Sequence, residues 1–202
     1  MYKESFKKQI VLETIKNFSK TSSFENALKK SLKKINVPSQ HWKRLEKFHF
    51  PNGFQNLIEE FNEIVNYKLN KKKLNLNKMG VSEKISFLVQ SRITITSEYK
   101  QSFKKIILNM IRPKNIYFSN KLLFKISDEI WFLSGDNSLD FNYYSKRIIL
   151  MKIYFLTIVF WLKDNSSNNK RTFIFLQKQI QNVSKIGKYK LLIRSFINKF
   201  SK

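Results

Sequence analysis

The groups able to do covalent or metal chemistry are few and scattered in this chain. None of the 202 residues is cysteine, which removes thiol nucleophiles, disulfides and cysteine-bound zinc and fits a reducing compartment. The two histidines are His41 and His49. They fall in and at the end of one short predicted helix, with no second donor at metal-ligand spacing, and read as surface or partly buried side chains. Glu59, Glu60 and Glu63 share a helix. A diiron carboxylate bundle needs repeated Glu-x-x-His, and that pattern is missing. There is no P-loop, no glycine-rich dinucleotide turn and no recognisable nucleophile setting for Ser, His and Asp. The expected activity is therefore binding without catalysis, with no metal and no cofactor of its own.

Charge narrows what could be bound. The formal net charge is +25, which attracts polyanions such as nucleic acid or anionic lipid headgroups. Lys outnumbers Arg 33 to 6, and Asn, Ile and Phe are abundant, the mixture an AT-biased genome produces. Solvated lysine faces without a ligand are therefore as good an account as selection for a polyanion. Arg, whose planar fork suits phosphate and base edges, is not enriched. Met1–Lys8 has no apolar segment of a secretory signal and no Arg- and Ser-rich presequence, so a cytoplasmic, bacterial setting is expected.

The elements that must position such groups are helices. Hydrophobic residues make up 42% of the chain, while Gly (4) and Pro (3) are scarce, so long elements with few turns are expected. Phe6, Ile10, Val11, Ile15 and Phe18 mark one face of a first helix. Ser22 or Ser23 can cap a second, where Phe24, Ala27, Leu28, Leu32 and Ile35 repeat at three and four. Val37-Pro38-Ser39 breaks it before a short third helix over Gln40–Phe48, and Pro51-Asn52-Gly53 opens a fourth. The polar run Leu69–Lys78 is a candidate boundary. Ser82-Glu83 reads as the cap of a helix reaching Thr96, although Arg92–Thr96 also fits a strand. Helices over Tyr99–Ile111 and Asn115–Ser134 follow, the second ended by Gly135. After the polar turn Gly135–Asp140 the chain is strongly apolar, with Lys152 the one charge in Ile148–Leu162. That run has about 15 residues where a bilayer needs about 20, so a helix enclosed by protein, ligand or both is expected. A helix over Thr172–Gly187 and a last segment, Lys188–Lys202, complete the chain.

Two segments carry binding patterns. In the last one Tyr189, Leu192, Ile193, Phe196, Ile197 and Phe200 fall within about a 140° arc of a helical wheel. Lys188, Lys190, Arg194, Lys199 and Lys202 lie outside it, with no acid. The pattern suits a helix lying on an anionic membrane surface, or one packed on its own domain. Ser23–Phe48 could form a helix-turn-helix with Gln40, Lys43 and Arg44 reaching DNA, or a plain helical hairpin.

The stretch Ile130-Trp131 followed by Gly135-Asp136-Asn137-Ser138-Leu139-Asp140-Phe141-Asn142-Tyr143-Tyr144-Ser145-Lys146-Arg147 resembles the signature of the lipid-binding accessory proteins of ubiquinone (coenzyme Q) biosynthesis. Phe50-Pro51-Asn52-Gly53 and Thr172-Phe173-Ile174-Phe175-Leu176 are similar to two further segments of that family. The family usually has Thr where this chain has Leu139, Trp at Tyr143 and Thr at Ser145, and Trp is common at Phe24 and Phe173. Acidic positions of its penultimate helix are Gln177, Gln181 and Asn182 here. The resemblance implies an all-α, tetracycline-repressor-like bundle of about nine to ten helices, acting as a homodimer. It would comprise a helix-turn-helix-like subdomain (1–69), a lipid-binding bundle (79–187) and an amphipathic membrane helix (188–202).

The resemblance further implies a non-enzyme that binds an isoprenoid or quinone lipid and partners the diiron demethoxyubiquinone hydroxylase, which holds the metal. Lipid contacts are then expected from Trp131 and Phe132, from Ile149, Ile153, Leu156 and Phe160 on one stripe, and from Met151, Phe155 and Trp161 in other directions. A dry core explains the same residues without a ligand. Asp140, Tyr143, Tyr144 and Arg147 are the expected hydroxylase contacts, or else Asp140 is a helix cap or a partner of Arg147. Membrane contacts are expected from Leu192, Ile193, Phe196, Ile197 and Phe200 with Lys190, Arg194 and Lys199. The membrane would be the bacterial inner membrane, or in a eukaryote the matrix side of the mitochondrial one. The rival is a ligand-responsive DNA-binding regulator of the same fold. Against it, the third helix runs about four residues longer than the regulators' pattern and lacks their characteristic Tyr.

Overall fold

The computed structural model describes residues 4–21, 23–71, 76 and 78–183. Eight α-helices have both ends among them: α1 (Glu4–Phe18), α2 (Phe24–Lys34), α3 (Trp42–His49), α4 (Phe54–Lys71), α5 (Val81–Thr96), α6 (Lys100–Met110), α7 (Ile116–Leu133) and α8 (Asp140–Lys163). A further helical stretch covers 170–183. No strand occurs among the described residues, so the all-α expectation holds, with slightly fewer complete helices than the nine or ten expected.

Local chemistry sets the boundaries. Ser23 caps α2, its hydroxyl accepting from the Asn26 N–H at 3.3 Å. Asn36, in the left-handed region (φ 58°), ends that helix, and the Val37 N–H turns back to the Leu32 carbonyl at 3.0 Å. Trp42 secures the break by donating its indole N–H to the Val37 carbonyl at 2.9 Å. Ser82 is not the cap of α5. The helix already starts at Val81, and the Glu83 carboxylate takes the Gly80 N–H at 2.9 Å. The strand alternative for Arg92–Thr96 is also set aside: these residues form the last turn of α5, where Thr96 donates to the Arg92 carbonyl at 3.0 Å.

The chain divides into two compact units, Met1–Leu74 with Ser91–Glu129 and Asn75–Gln90 with Ile130–Lys202. In the first, Ile10, Val11, Ile15, Leu28, Leu32 and Leu57 are buried, and Phe61 meets Tyr99 edge-on at 5.1 Å. Arg92 is buried there too, donating to the side-chain oxygens of Asn62 and Asn66 on α4. In the second, Leu88, Val89, Ile130, Leu150, Ile158, Trp161 and Leu176 are buried.

No helix among the described residues is long and apolar enough to cross a membrane. Within the single chain the apolar helix α8 is only partly covered. One side of α8 (Leu150, Ile153, Tyr154, Thr157, Ile158, Trp161) is buried, while Phe141, Ile148, Ile149 and Leu156 stand exposed on the other. Composition could not reveal this, because apolar residues occupy both sides.

Candidate functional site

Gly135 (φ +84°) ends α7 in the left-handed conformation, with the Asp136 N–H bonded to the Trp131 carbonyl at 3.1 Å. The turn brings the Asp136 carboxylate onto the first turns of α8. There it accepts from Lys146 Nζ at 2.7 Å, Arg147 Nη1 at 3.2 Å and the Ser138 hydroxyl at 2.7 Å. Lys146 also reaches Ser138. Burial works to raise the Asp136 pKa, but the hydrogen bonds from Lys146, Ser138 and Arg147 outweigh it and hold the carboxyl down at about 2.

Arg147 is buried, so its part in any partner contact is to position other groups. It donates to the Tyr143 carbonyl at 3.0 Å, and its guanidinium lies 3.4 Å from the centre of the Tyr143 ring. Tyr143 in turn meets Tyr144 edge-on at 5.1 Å. Of the two tyrosines Tyr144 is the more exposed, at 58%. Phe132, Leu139 and Phe141 are exposed around the same turn. Asp140 is the first residue of α8, and the N-cap position belongs to Leu139. The arrangement is a braced turn that presents aromatic and aliphatic side chains, which suits docking.

The residues expected to hold lipid differ widely in burial. Along one stripe of α8, Ile149 and Leu156 are exposed, Ile153 is buried, and Phe160 is half-buried and stacked on Phe175 at 4.5 Å. Trp161 is fully buried and donates to the Asn169 side chain at 3.0 Å. Trp131 is half-buried, its indole N–H bonded to the Lys146 carbonyl at 3.1 Å and its ring 5.1 Å from the Lys146 ammonium. Phe132 is exposed, whereas Met151 and Phe155 are half-buried.

Two recesses in this unit lie along α5 and the helical stretch 170–183. One recess of about 550 Å³ is lined by Phe87, Gln90, Gln177 and Ile180 among others, and a second of about 500 Å³ shares Gln90 and Gln177 and adds Phe173 and Ile174. Both volumes fall within the usual range for small-molecule sites. Sequence periodicity identified Phe173 and Ile180 as one helix face but gave no sign that Phe87, Gln90 and Gln177 border the same space.

A second feature escaped the sequence reading. Asp164, just after α8, accepts the Thr172 N–H at 2.8 Å and the Thr172 hydroxyl at 2.6 Å on one oxygen, and the Ser166 N–H at 2.8 Å on the other. Burial opposes its charge, yet these bonds hold the carboxyl well below the usual carboxylate range. Asp164 therefore clamps the end of α8 to the start of the next helix. No cluster of three metal-donor side chains occurs among the described residues. The expected membrane residues, Leu192, Ile193, Phe196, Ile197, Phe200, Lys190, Arg194 and Lys199, lie outside the described residues.

The architecture is of the tetracycline-repressor type. A TetR transcriptional regulator from Nitrosomonas europaea superposes with a TM-score of 0.69, covering 90% of this chain and 99% of that one at 14% identity, a likeness of fold alone. Within that class, residues 116–187 match the COQ9 family model. The chain is 31% identical over 147 residues to the ubiquinone biosynthesis protein coq9, mitochondrial, of Schizosaccharomyces pombe, covering 72% of this chain and 59% of that one. It is likewise 31% identical over 147 residues to COQ9-A of Xenopus laevis, covering 68% and 46%. Human COQ9 is 29% identical over 99 residues, covering 49% and 31%. The chain spans about half the length of the curated relatives it matches. These matches bear out the family resemblance read from the signature after Ile130.

Proposed function

We propose that this chain is a non-catalytic accessory protein of ubiquinone biosynthesis that binds a prenylated quinone intermediate and presents it to the demethoxyubiquinone hydroxylase. The reading places it in the mitochondrion, in keeping with the names of its relatives, on the matrix face of the inner membrane, or at the equivalent bacterial surface. The observation that carries it is the uncovered apolar side of α8, where Phe141, Ile148, Ile149 and Leu156 face water. Contiguous exposed apolar surface of this kind calls for an occupant. Two occupants divide it in this account: a second copy of the chain packed through α8, and the isoprenoid tail. The tail extends toward the recesses at Phe87, Phe173 and Ile180. Leaving the bilayer costs the tail its apolar surroundings, and burial against these side chains offsets that cost. The amphipathic segment 188–202 holds the chain at the bilayer, and the subdomain 1–69 keeps its helix-turn-helix-like form as scaffold.

The head group is offered beside the braced turn. Tyr144→Ala removes an exposed aromatic anchor without touching the Asp136–Arg147 pair, and loss of such an anchor costs about 1–2 kcal/mol of binding. The expected result is roughly tenfold weaker co-purification with the hydroxylase at unchanged lipid content. An unaltered complex would remove Tyr144 from the contact.

A further inference from the structure

The junction of α6 and α7, in the first compact unit, is a corner built to a fixed shape. Ser119 donates its hydroxyl to the Met110 carbonyl at 2.8 Å, and Asn115 donates its side-chain amide to the Asn109 carbonyl at 3.0 Å. A 3-10 turn, Pro113–Asn115, links the two helices. Met110, Asn115, Phe118 and Ser119 are buried on the inner side. The outer side is unusual for a water-facing corner. Leu108, Ile111, Ile116 and Tyr117 all project, Tyr117 with 81% and Leu108 with 61% of its surface exposed.

Charge defines the surroundings. From Tyr99 to Ser127 the chain holds seven basic residues and no acid. Lys105 is engaged by the Thr21 carbonyl and Lys125 by Glu63. Lys104, Arg112, Lys114 and Lys121 are exposed, and none of them meets a carboxylate among the described residues.

We propose that this corner is a membrane-docking site: Leu108, Ile111, Ile116 and Tyr117 enter the interfacial layer of an anionic bilayer, and the surrounding cations meet its headgroups. Projecting aliphatic side chains gain free energy only by leaving water, and a tyrosine with its hydroxyl at headgroup depth suits the interface. Lys and Arg stems reach past buried apolar groups to keep their charge at the phosphates, each adding attraction to an anionic surface. Nucleic acid fits less well. Its readers rely on arginine forks and stacked aromatic rings, and three of the four anchors here are aliphatic. The site shares its partner with the segment 188–202 but rests on different residues, so each can fail alone.

The absence of cysteine from the chain permits single-site labelling. Full-length variants Tyr117→Cys, Phe196→Cys and, as a reference on the exposed surface of α2, Lys30→Cys carry an environment-sensitive NBD fluorophore. They are titrated with vesicles of phosphatidylcholine containing about one-third phosphatidylglycerol. The expected result is a blue-shifted, brighter emission at position 117 and none at position 30. The double variant Leu108→Ser/Tyr117→Ser, with unchanged circular dichroism, should lower vesicle partition at least about tenfold. A shift at 196 with none at 117 would overturn the corner site and leave the tail reading standing. A shift at 117 with none at 196 would support the corner and remove the tail. No vesicle response at 117, with duplex DNA binding that Arg112→Glu/Lys114→Glu abolishes, would assign the corner to nucleic acid and overturn the proposal.

Discussion

Replacing Asp164 with alanine is expected to lower the unfolding free energy by about 3–4 kcal/mol. The change removes one carboxylate and orphans both the backbone N–H and the hydroxyl of Thr172, a residue with no exposed surface. Each buried donor left without an acceptor costs about 1–3 kcal/mol. Loss of the bond to the Ser166 N–H adds a smaller amount, because Ser166 sits nearer solvent. Urea unfolding monitored by far-ultraviolet circular dichroism checks the figure through the midpoint. A midpoint equal to that of the unaltered chain would show that the clamp between α8 and the following helix contributes nothing.

Asp136→Ala is the second large effect, about 3 kcal/mol, and it differs in kind because it also alters the candidate contact surface. Its side chain is 5% exposed and accepts hydrogen bonds from Lys146, Arg147 and Ser138. Lys146 can swing into water when the acid is gone; Arg147, buried, cannot. The strain falls on the Tyr143 ring beneath the guanidinium, so the proposed binding to the hydroxylase should weaken together with stability. Arg147→Ala is expected to cost less, since Lys146 still pairs with the acid.

The same pair of acids gives a pH dependence. Asp136 and Asp164 both have folded-state pKa values below the unfolded value of about 3.9. Their stabilisation is therefore complete above about pH 4 to 5. It is lost as the pH falls, for Asp136 over the window from about 4 down to about 2. The gap in urea midpoint between the unaltered chain and either alanine variant should narrow across that range. A gap independent of pH would mean that the charge of these carboxylates does not matter to the fold.

What the sequence disclosed depended on how local the cause was. The Ser23 cap and the left-handed Gly135 each depend on one residue type at one position, and both were readable. The start of α5 was missed by two residues because Glu83 bonds back to Gly80, a bond that hydrophobic spacing does not encode. The partners of Asp136 and Asp164 were hidden for a related reason. Each acid lies in a turn, and its bonds to Arg147 or Thr172 exist only once the turn has folded back. Signature matching found Tyr143 and Tyr144, but only burial separates the exposed ring from the one held under Arg147. For α8, a helix apolar on every side gives periodicity nothing to sort, so its uncovered half had to be observed. Phe87 and Gln177 border one recess although 90 residues apart in number, and no local pattern joins them.

Native mass spectrometry of the full-length chain, purified in gentle detergent from ubiquinone-producing cells and followed by solvent extraction, bears most directly on lipid carriage. A chain that carries a prenylated quinone intermediate should show an adduct of matching mass, and the extract should contain the same compound. A bare protein mass, with an extract indistinguishable from that of a mock purification, would contradict the account.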